Sequence, residues 1–287
     1  MPFILGTANL LSNYGIEKIT KGVGELETLN IFKNANSLGI SRIDTATSYQ
    51  NAENFLGSNI SEIVSFKIDS KISLGNQFDE NEIMENVFSL LKRLKIEKLN
   101  TLYLHNLNPL SDSNIEITKK CMNKILEEGL AESIGVSVYN DQEIEFCLEK
   151  YPNFKSFQIL ENICDRRFIH SKYLASLSES GIELNVRSIF LQGLLLSEIK
   201  SIPAYLENAT QSLTEFQDLA ASINSSRFKL CVAYAKQIPW ASNIVVGVGS
   251  LEELAAITSV KETLPINYLE KVPELPGSLK DPRNWKK

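Results

Sequence analysis

Short apolar segments alternate with longer segments of helical periodicity from one end of the chain to the other. The clearest helix begins after Asp79, which with Glu82 has the form of a capping box. Its apolar positions recur on one face, at Ile83, Val87, Leu90, Leu91 and Leu94. This alternation predicts βα units around a parallel sheet, which is the α/β class.

Eight such units occur in the sequence. The predicted strands are 3–6, 41–44, 63–71, 99–104, 132–137, 154–160, 181–189 and 244–247. The predicted helices are 25–37, 51–60, 79–94, 114–128, 141–150 and 168–180, then a polar helical stretch ending near 236, and 251–263. Since a (β/α)8 TIM barrel typically needs about 250 residues, the 287-residue chain predicts one such barrel over residues 1–264. The tail, residues 265–287, is predicted to pack on or near the barrel, with a frayed end as the alternative.

An open doubly wound sheet is the main alternative fold. Its nucleotide-binding form usually carries Gly-x-Gly-x-x-Gly after the first strand. Here the first strand is followed by Gly6, Thr7, Ala8 and Asn9, so that motif is missing. The barrel is therefore favoured.

Composition and charge narrow the function classes. With 43% hydrophobic and 22% charged residues, the chain resembles an ordinary globular enzyme. The 29 Lys and Arg against 35 Asp and Glu give a net charge of −6 without a basic run, which disfavours a nucleic-acid partner. No signal-peptide n-region or long apolar run is evident, so a cytoplasmic protein is expected. The 4 cysteines lie far apart, which predicts reduced thiols and no metal site.

Four side chains suited to acid-base chemistry are predicted to meet at one edge of the sheet. Asp44, Lys71 and His105 end consecutive strands, and Tyr49 follows in the loop after the second strand. In a (β/α)8 barrel this edge holds the active site. A nearby ammonium would lower the pKa of Tyr49, a carboxylate would orient the lysine, and a neutral imidazole can donate to a substrate oxygen. The set suits protonation of a carbonyl oxygen as hydride reaches its carbon.

Each of these residues also has a purely structural interpretation. Asp44 can cap a turn and Tyr49 can pack at a rim. Lys71 can be solvated and His105 can be buried without a catalytic role. The other histidine, His170, is predicted to be structural within a surface helix. The combination of four residues at one edge is more informative than any one of them.

Several segments carry a resemblance to a known family. They are residues 44–49, 53–57, 102–105, 135–140, 158–167, 187–193 and 247–250. Together with Lys71 they resemble the aldo-keto reductase superfamily, in a bacterial-type short form, over nearly the whole chain. The resemblance implies that Tyr49 is the general acid and that Lys71, Asp44 and His105 assist it.

The resemblance also implies a nicotinamide cofactor. It places Ser137 and Gln158 at the carboxamide, with Val138 where an asparagine is common, and Arg187 where a tyrosine usually lies against the nicotinamide. The implied cofactor-binding residues are Thr7, Ser137, Gln158, Arg187, Ser188, Gln192, Gly193, Gly247, Gly249 and Ser250. The last three belong to a turn whose amides can hold a phosphate at the start of a helix, with a plain glycine-rich turn as the alternative.

The choice between NADPH and NADH stays open in the sequence. The resemblance favours NADP, but Glu252 and Glu253 stand where NADPH-preferring members commonly carry Lys or Arg. Lys261 and Arg227 are the candidate substitutes.

The activity implied by the resemblance is NAD(P)H-dependent reduction of an aldehyde or ketone, which includes sugars and their derivatives, or the reverse oxidation. The alternative is a non-catalytic regulatory protein that binds the cofactor on the same fold. Substrate walls are expected from loops 9–14, 106–110 and 190–196. Trp285 is expected either to stack on the substrate or to anchor the tail.

Overall fold

The computed structural model describes residues 1–10, 15, 24–49, 51–75, 78–107 and 112–285. Its strands are β1 (Phe3–Gly6), β2 (Arg42–Asp44), β3 (Lys67–Ile72), β4 (Leu99–Leu104), β5 (Ala131–Val138), β6 (Ser156–Leu160), β7 (Glu183–Arg187) and β8 (Asn243–Gly247). All pairings are parallel, and the strands close into a barrel in sequence order, with β8 paired to β1. The predicted (β/α)8 barrel is confirmed.

Helices connect the strands on the outside of the barrel. They are α1 (Glu25–Ser37), α2 (Ala52–Ser58), α3 (Ile60–Ile63), α4 (Glu80–Leu94), α5 (Asp112–Glu127), α6 (Asp141–Lys150), α7 (Leu174–Glu179), α8 (Thr210–Ser222), α9 (Arg227–Gln237), α10 (Leu251–Ser259) and α11 (Ile266–Leu269). Short 3-10 turns follow β7, at Leu191–Leu196, Ile199–Ser201 and Ala204–Ala209, and occur in the tail, at Gly277–Leu279 and Pro282–Asn284.

Helix α4 shows how the sequence pattern produces this fold. The carboxylate of Asp79 accepts a hydrogen bond from the backbone N–H of Glu82 at 2.9 Å, and Lys95 ends the helix with a left-handed φ of 53°. The face that packs on the barrel consists of Ile83, Met84, Val87, Leu90, Leu91 and Leu94. The prediction of this helix is confirmed at both ends.

The third strand begins later than the apolar pattern predicted. Residues 60–63 form the short helix α3, and β3 begins at Lys67. Ile63 is buried within α3, which packs against α1 and α2, so an apolar residue here does not require a strand.

The predicted helix 168–180 is mostly a series of turns. Backbone N–H groups of Ile169 and Ser171 donate to the carbonyls of Arg166 and Phe168, at 3.1 Å each. These tight turns delay the helix until Leu174, and the prediction that His170 lies in a helix is wrong, since it lies in the exposed turns.

A buried ionic network crosses the barrel interior near the N-terminal ends of the strands. The guanidinium of Arg42 on β2 donates to Asp69 Oδ2 on β3 at 2.6 Å and to Glu183 Oε2 on β7 at 2.8 Å. Asn100 Nδ2 donates to the other oxygen of Asp69 at 2.6 Å. Burial raises the pKa of Asp69 to about 6, although Arg42 and Asn100 oppose the shift. One guanidinium thus links strands on different sides of the barrel.

The C-terminal tail returns to the barrel. The indole of Trp285 is 8% exposed, and its Nε1 donates to the carbonyl of Leu279 at 3.1 Å. The backbone N–H of Leu275 donates to the carbonyl of Cys164, after β6, at 2.9 Å. Of the two interpretations of Trp285, the structure matches anchoring of the tail.

Membrane-spanning helices and metal-binding clusters are both absent from the described residues. No helix there is long and apolar enough to cross a membrane. Within the same ranges, no group of three or more His, Cys, Asp or Glu is arranged to hold a metal ion. All four cysteines are buried and free.

Candidate active site

A cavity of about 660 Å³ opens at the C-terminal ends of the strands. Asp44, Tyr49, Lys71 and His105 all line it, so the structure brings the four predicted side chains together. The volume lies within the roughly 300–1,000 Å³ of cavities that bind small ligands.

A buried ion pair forms the floor of this cavity. Lys71 Nζ donates to Asp44 Oδ2 at 2.5 Å and to the carbonyl of Thr45 at 2.9 Å. The other carboxylate oxygen, Asp44 Oδ1, accepts from Gln158 Nε2 at 2.5 Å. Because both charged groups are buried and hydrogen-bonded on several sides, their positions are fixed before any ligand arrives.

Tyr49 lies above this ion pair. Lys71 Nζ is 5.3 Å from the centroid of its ring, and the ring meets His105 edge to face with centroids 5.9 Å apart. Burial raises the pKa of Tyr49 above its ordinary value, Asp44 adds to the rise, and Arg187 opposes it. The net pKa is raised, where the sequence predicted a lowering by Lys71, because burial and the charge of Asp44 outweigh the opposing charge of Arg187. The phenol therefore keeps its proton at neutral pH.

His105 is held in the neutral form. Burial, then the charges of Lys71 and Arg187, lower its pKa from 6.5 to about 3. Its Nδ1 lies 3.3 Å from Ser48 Oγ. A neutral imidazole keeps one N–H, so it can donate a hydrogen bond to an oxygen in the cavity.

We expect His105 to stay neutral over the whole range in which the protein is folded. In NMR spectra recorded from pH 8 to pH 5, its ring signals should not titrate, and His105→Gln identifies them against those of His170. Because the unfolded chain binds a proton near pH 6.5 and the folded chain near pH 3, stability should fall as pH drops through this window. A midpoint between pH 6 and 7 for His105 would contradict the proposed environment.

Two buried polar atoms without hydrogen-bond partners among the described residues lie on neighbouring strands at the cavity. Ser137 on β5 and Gln158 on β6 are register neighbours and both line the cavity. Among the described residues, neither Ser137 Oγ nor Gln158 Oε1 has a hydrogen-bond partner. One hydroxyl donor beside one carbonyl acceptor complements the C=O and NH₂ of a primary amide. The residues present therefore fit the nicotinamide end of a dinucleotide.

The loop after β7, the strand next to β6, forms a further part of the cavity wall. Ser188 and Gln192 have left-handed φ values of 64° and 55°, and both line the cavity with Gly193. The guanidinium of Arg187 lies 4.4 Å from the centroid of the Tyr139 ring, which the guanidinium of Arg283 also contacts, at 3.5 Å. Arg187 is thus stacked on a residue of the chain at the wall of the cavity.

Tyr139 and Arg283 line the cavity without having been proposed as site residues. The tail brings Arg283 to the mouth, where it donates to both carboxylate oxygens of Asp281, at 3.1 and 3.0 Å, and to Glu143 at 3.1 Å. Tyr139 stood within a segment of family resemblance, which was the only signal for it. No signal in the sequence singled out Arg283.

The turn after β8 differs from an open phosphate site. Gly247 lines the cavity, but Gly249 and Ser250 are not among the described residues that do. Ser250 Oγ caps α10 by accepting from the N–H of Glu253 at 3.2 Å. Glu253 Oε2 in turn accepts from the N–H of Gly249 at 2.6 Å. These amides already have partners within the chain.

Three other predicted residues are not among the described residues that line the cavity. The N–H of Thr7 donates to the backbone carbonyl of Asp44 at 2.9 Å. Thr7 therefore helps to position the backbone that carries the Asp44 carboxylate. Arg227 donates to the carbonyl of Ser197 at 2.9 Å, and neither it nor Lys261 is among the described residues lining the cavity. Parts of loops 9–14 and 106–110 lie outside the described residues, whereas Asn9 and Phe190 do line the cavity.

Comparison with known proteins gives consistent matches. The sequence model of the aldo/keto reductase family matches residues 2–272. The uncharacterized oxidoreductase YqkF of Bacillus subtilis (strain 168) is 25% identical over an alignment 280 residues long that covers 87% of each chain.

Solved structures match the fold at lower identity. The aldo-keto reductase AKR11C1 from Bacillus halodurans, in its holo form, superposes with a TM-score of 0.75 at 19% identity, over 97% of this chain and 95% of that one. A Pseudomonas aeruginosa protein regarded as an aldo-keto reductase gives a TM-score of 0.66 at 17% identity, over 90% and 88% of the two chains.

The closed barrel, with its cavity at the C-terminal ends of the strands, has the arrangement of (β/α)8 enzymes. Since the family model covers nearly the whole sequence, the chain belongs to the aldo/keto reductase family.

Proposed function

We propose that the protein reduces an aldehyde or ketone, including the open-chain carbonyl of a sugar, to an alcohol with a nicotinamide dinucleotide as the reductant. The observation that carries the proposal is the half-buried, protonated phenol of Tyr49 beside the neutral imidazole of His105, in the cavity that contains the Ser137 and Gln158 pair. The reduced nicotinamide, when bound, supplies the hydride.

The side chains position the carbonyl oxygen, donate the proton and stabilise the charge that remains. The N–H of His105 positions the carbonyl oxygen, and the phenol of Tyr49 gives its proton to that oxygen as negative charge develops there. The ammonium of Lys71, held by Asp44, lies close enough to the ring to stabilise the phenolate that remains. Ser137 and Gln158 orient the carboxamide, and Gln158 also bonds Asp44.

The raised pKa of Tyr49 also favours one direction of reaction at neutral pH. A protonated phenol is ready to act as an acid, whereas alcohol oxidation needs the phenolate as a base. We therefore expect carbonyl reduction to proceed well near pH 7 and alcohol oxidation to increase as pH is raised.

Dinucleotide binding tests the proposal together with turnover. Purified protein is titrated with NADH and NADPH by calorimetry, and oxidation at 340 nm is followed with a panel of aldehydes, ketones and sugars. Ser137→Ala should weaken dinucleotide binding by about 2- to 10-fold, which is the contribution of one hydrogen bond. Ser133→Ala, on the same strand but outside the described cavity lining, is the matched control and should bind normally.

The outcomes separate the two functions that the fold allows. Binding followed by turnover supports the reductase, and binding without turnover across the panel supports a regulatory protein that senses the cofactor. Absence of binding by either dinucleotide would contradict both.

A further inference from the structure

Part of the cavity lining comes from the turn between β8 and α10, which is far along the chain from the acid-base groups. Gly247 and Glu253 belong to this part of the lining. The N-terminus of a helix after the last strand of such a barrel frequently forms a phosphate site, because free N–H groups and the helix dipole attract an anion.

In this chain the amides at that helix start are already bonded to its own side chains. Glu253 Oε2 accepts from the N–H of Gly249 at 2.6 Å, and Glu27 Oε1, from α1, accepts from the N–H of Leu251 at 3.2 Å. Ser250 Oγ accepts from the N–H of Glu253 at 3.2 Å. Two carboxylates thus occupy the amides that would otherwise bind a phosphate.

A separate observation shows that this cavity is built for a ligand. Elsewhere in its lining, Ser137 is 1% exposed and Gln158 is 0% exposed, and their side-chain oxygens are without partners among the described residues. Gly247 and Glu253 line the same cavity, so a ligand that bonds these two atoms shares the cavity with the start of α10.

We propose that Glu27 and Glu253 make the cavity select a dinucleotide without a 2′-phosphate, so that NADH is bound in preference to NADPH. This inference rests on the proposed function. A 2′-phosphate carries about −1.5 to −2 charges and would be repelled by Glu253, which lines the cavity, and by Glu27, which bonds the same helix start. A free ribose hydroxyl can instead donate to a carboxylate, which is how an acidic residue recognises the 2′-hydroxyl of NAD in other folds.

The sequence alone did not determine this preference. Glu252 and Glu253 are adjacent acids at the start of one helix, and the sequence does not show which of them faces the cavity. The structure separates them, because Glu253 lines the cavity and Glu252 does not, among the described residues. It also adds Glu27, which is not among the described lining residues but whose carboxylate accepts from the N–H of Leu251 at the same helix start.

The test is a comparison of dissociation constants for NADH and NADPH, measured by calorimetry on the full chain. The wild-type protein should bind NADH at least about 10-fold more tightly than NADPH at low salt, and added salt should reduce the difference by screening the repulsion. Glu253→Gln and Glu27→Gln keep an acceptor for the same amide but remove the charge. Each should strengthen NADPH binding about 3- to 10-fold, and the double variant more, with little change for NADH.

Glu252→Gln is the matched control, because among the described residues its carboxylate neither lines the cavity nor accepts from the N–H of Gly249 or Leu251. It should change the NADPH dissociation constant by less than about 2-fold. Melting temperatures without ligand establish that all variants are folded.

The possible results are distinct. NADPH binding as tight as NADH in the wild type would overturn the inference and leave the proposed function intact. An NADH preference that the Glu27 and Glu253 variants do not reduce would overturn the assignment to these residues. Binding of neither dinucleotide would overturn the proposed function and this inference with it.

Discussion

Tyr49→Phe should lower the turnover number for carbonyl reduction by about 10²- to 10⁴-fold, which is the range over which a positioned general acid contributes. The variant lacks only the proton donor, since the ring keeps its contacts with His105 and Lys71. Steady-state rates at saturating NADH and carbonyl measure the effect.

The affinity for dinucleotide and the melting temperature should change little in Tyr49→Phe. Tyr205→Phe makes the same chemical change at an exposed position and should keep full activity. If Tyr49→Phe retained more than a tenth of the wild-type rate, another group would have to supply the proton, and the proposed role of this phenol would be wrong.

Arg42→Met should reduce the free energy of unfolding by about 3–5 kcal/mol, because it leaves two carboxylates in the barrel without their cation. Asp69 is fully buried and Glu183 is partly buried, and both bond to the same guanidinium. Urea denaturation at pH 7, followed by circular dichroism, measures the change.

A surface pair provides the comparison for this substitution. Lys98 bonds Glu132 at 2.9 Å, but both side chains are about half exposed, at 59% and 45%, so Lys98→Met should cost less than about 1 kcal/mol. Adding Asp69→Asn to Arg42→Met should recover part of the loss, since it removes one buried charge. Equal effects of Arg42→Met and Lys98→Met would show that the network does not stabilise the barrel.

The meeting of Asp44, Lys71 and His105 was predictable from the sequence for a simple reason. Each residue stands at the end of an apolar strand, and parallel strands that are neighbours in sequence bring their ends to one edge. The bond from Lys71 to Asp44 follows from the direct pairing of β2 with β3.

Contacts across the barrel were not predictable in the same way. The bond between Gln158 and Asp44 joins β6 to β2, and it depends on how far opposite strands tilt and on which side chains point inward. Arg283 reaches Tyr139 only because the tail folds back, and no periodic pattern encodes that path. The net shift of the pKa of Tyr49 likewise depends on burial, which neighbouring residues in the sequence do not reveal.

The pairing of β1 with β8 has a consequence for synthesis of the protein. Phe3 pairs with Ile244 and Gly6 with Gly247. The first strand to be synthesised therefore cannot pair with β8 until the last strand has been synthesised. Until the ribosome has released β8, the barrel is an open sheet with two unpaired edges, which are sites where other chains can add. We expect the native fold to form after translation, and chains truncated before Asn243 to aggregate or to be degraded.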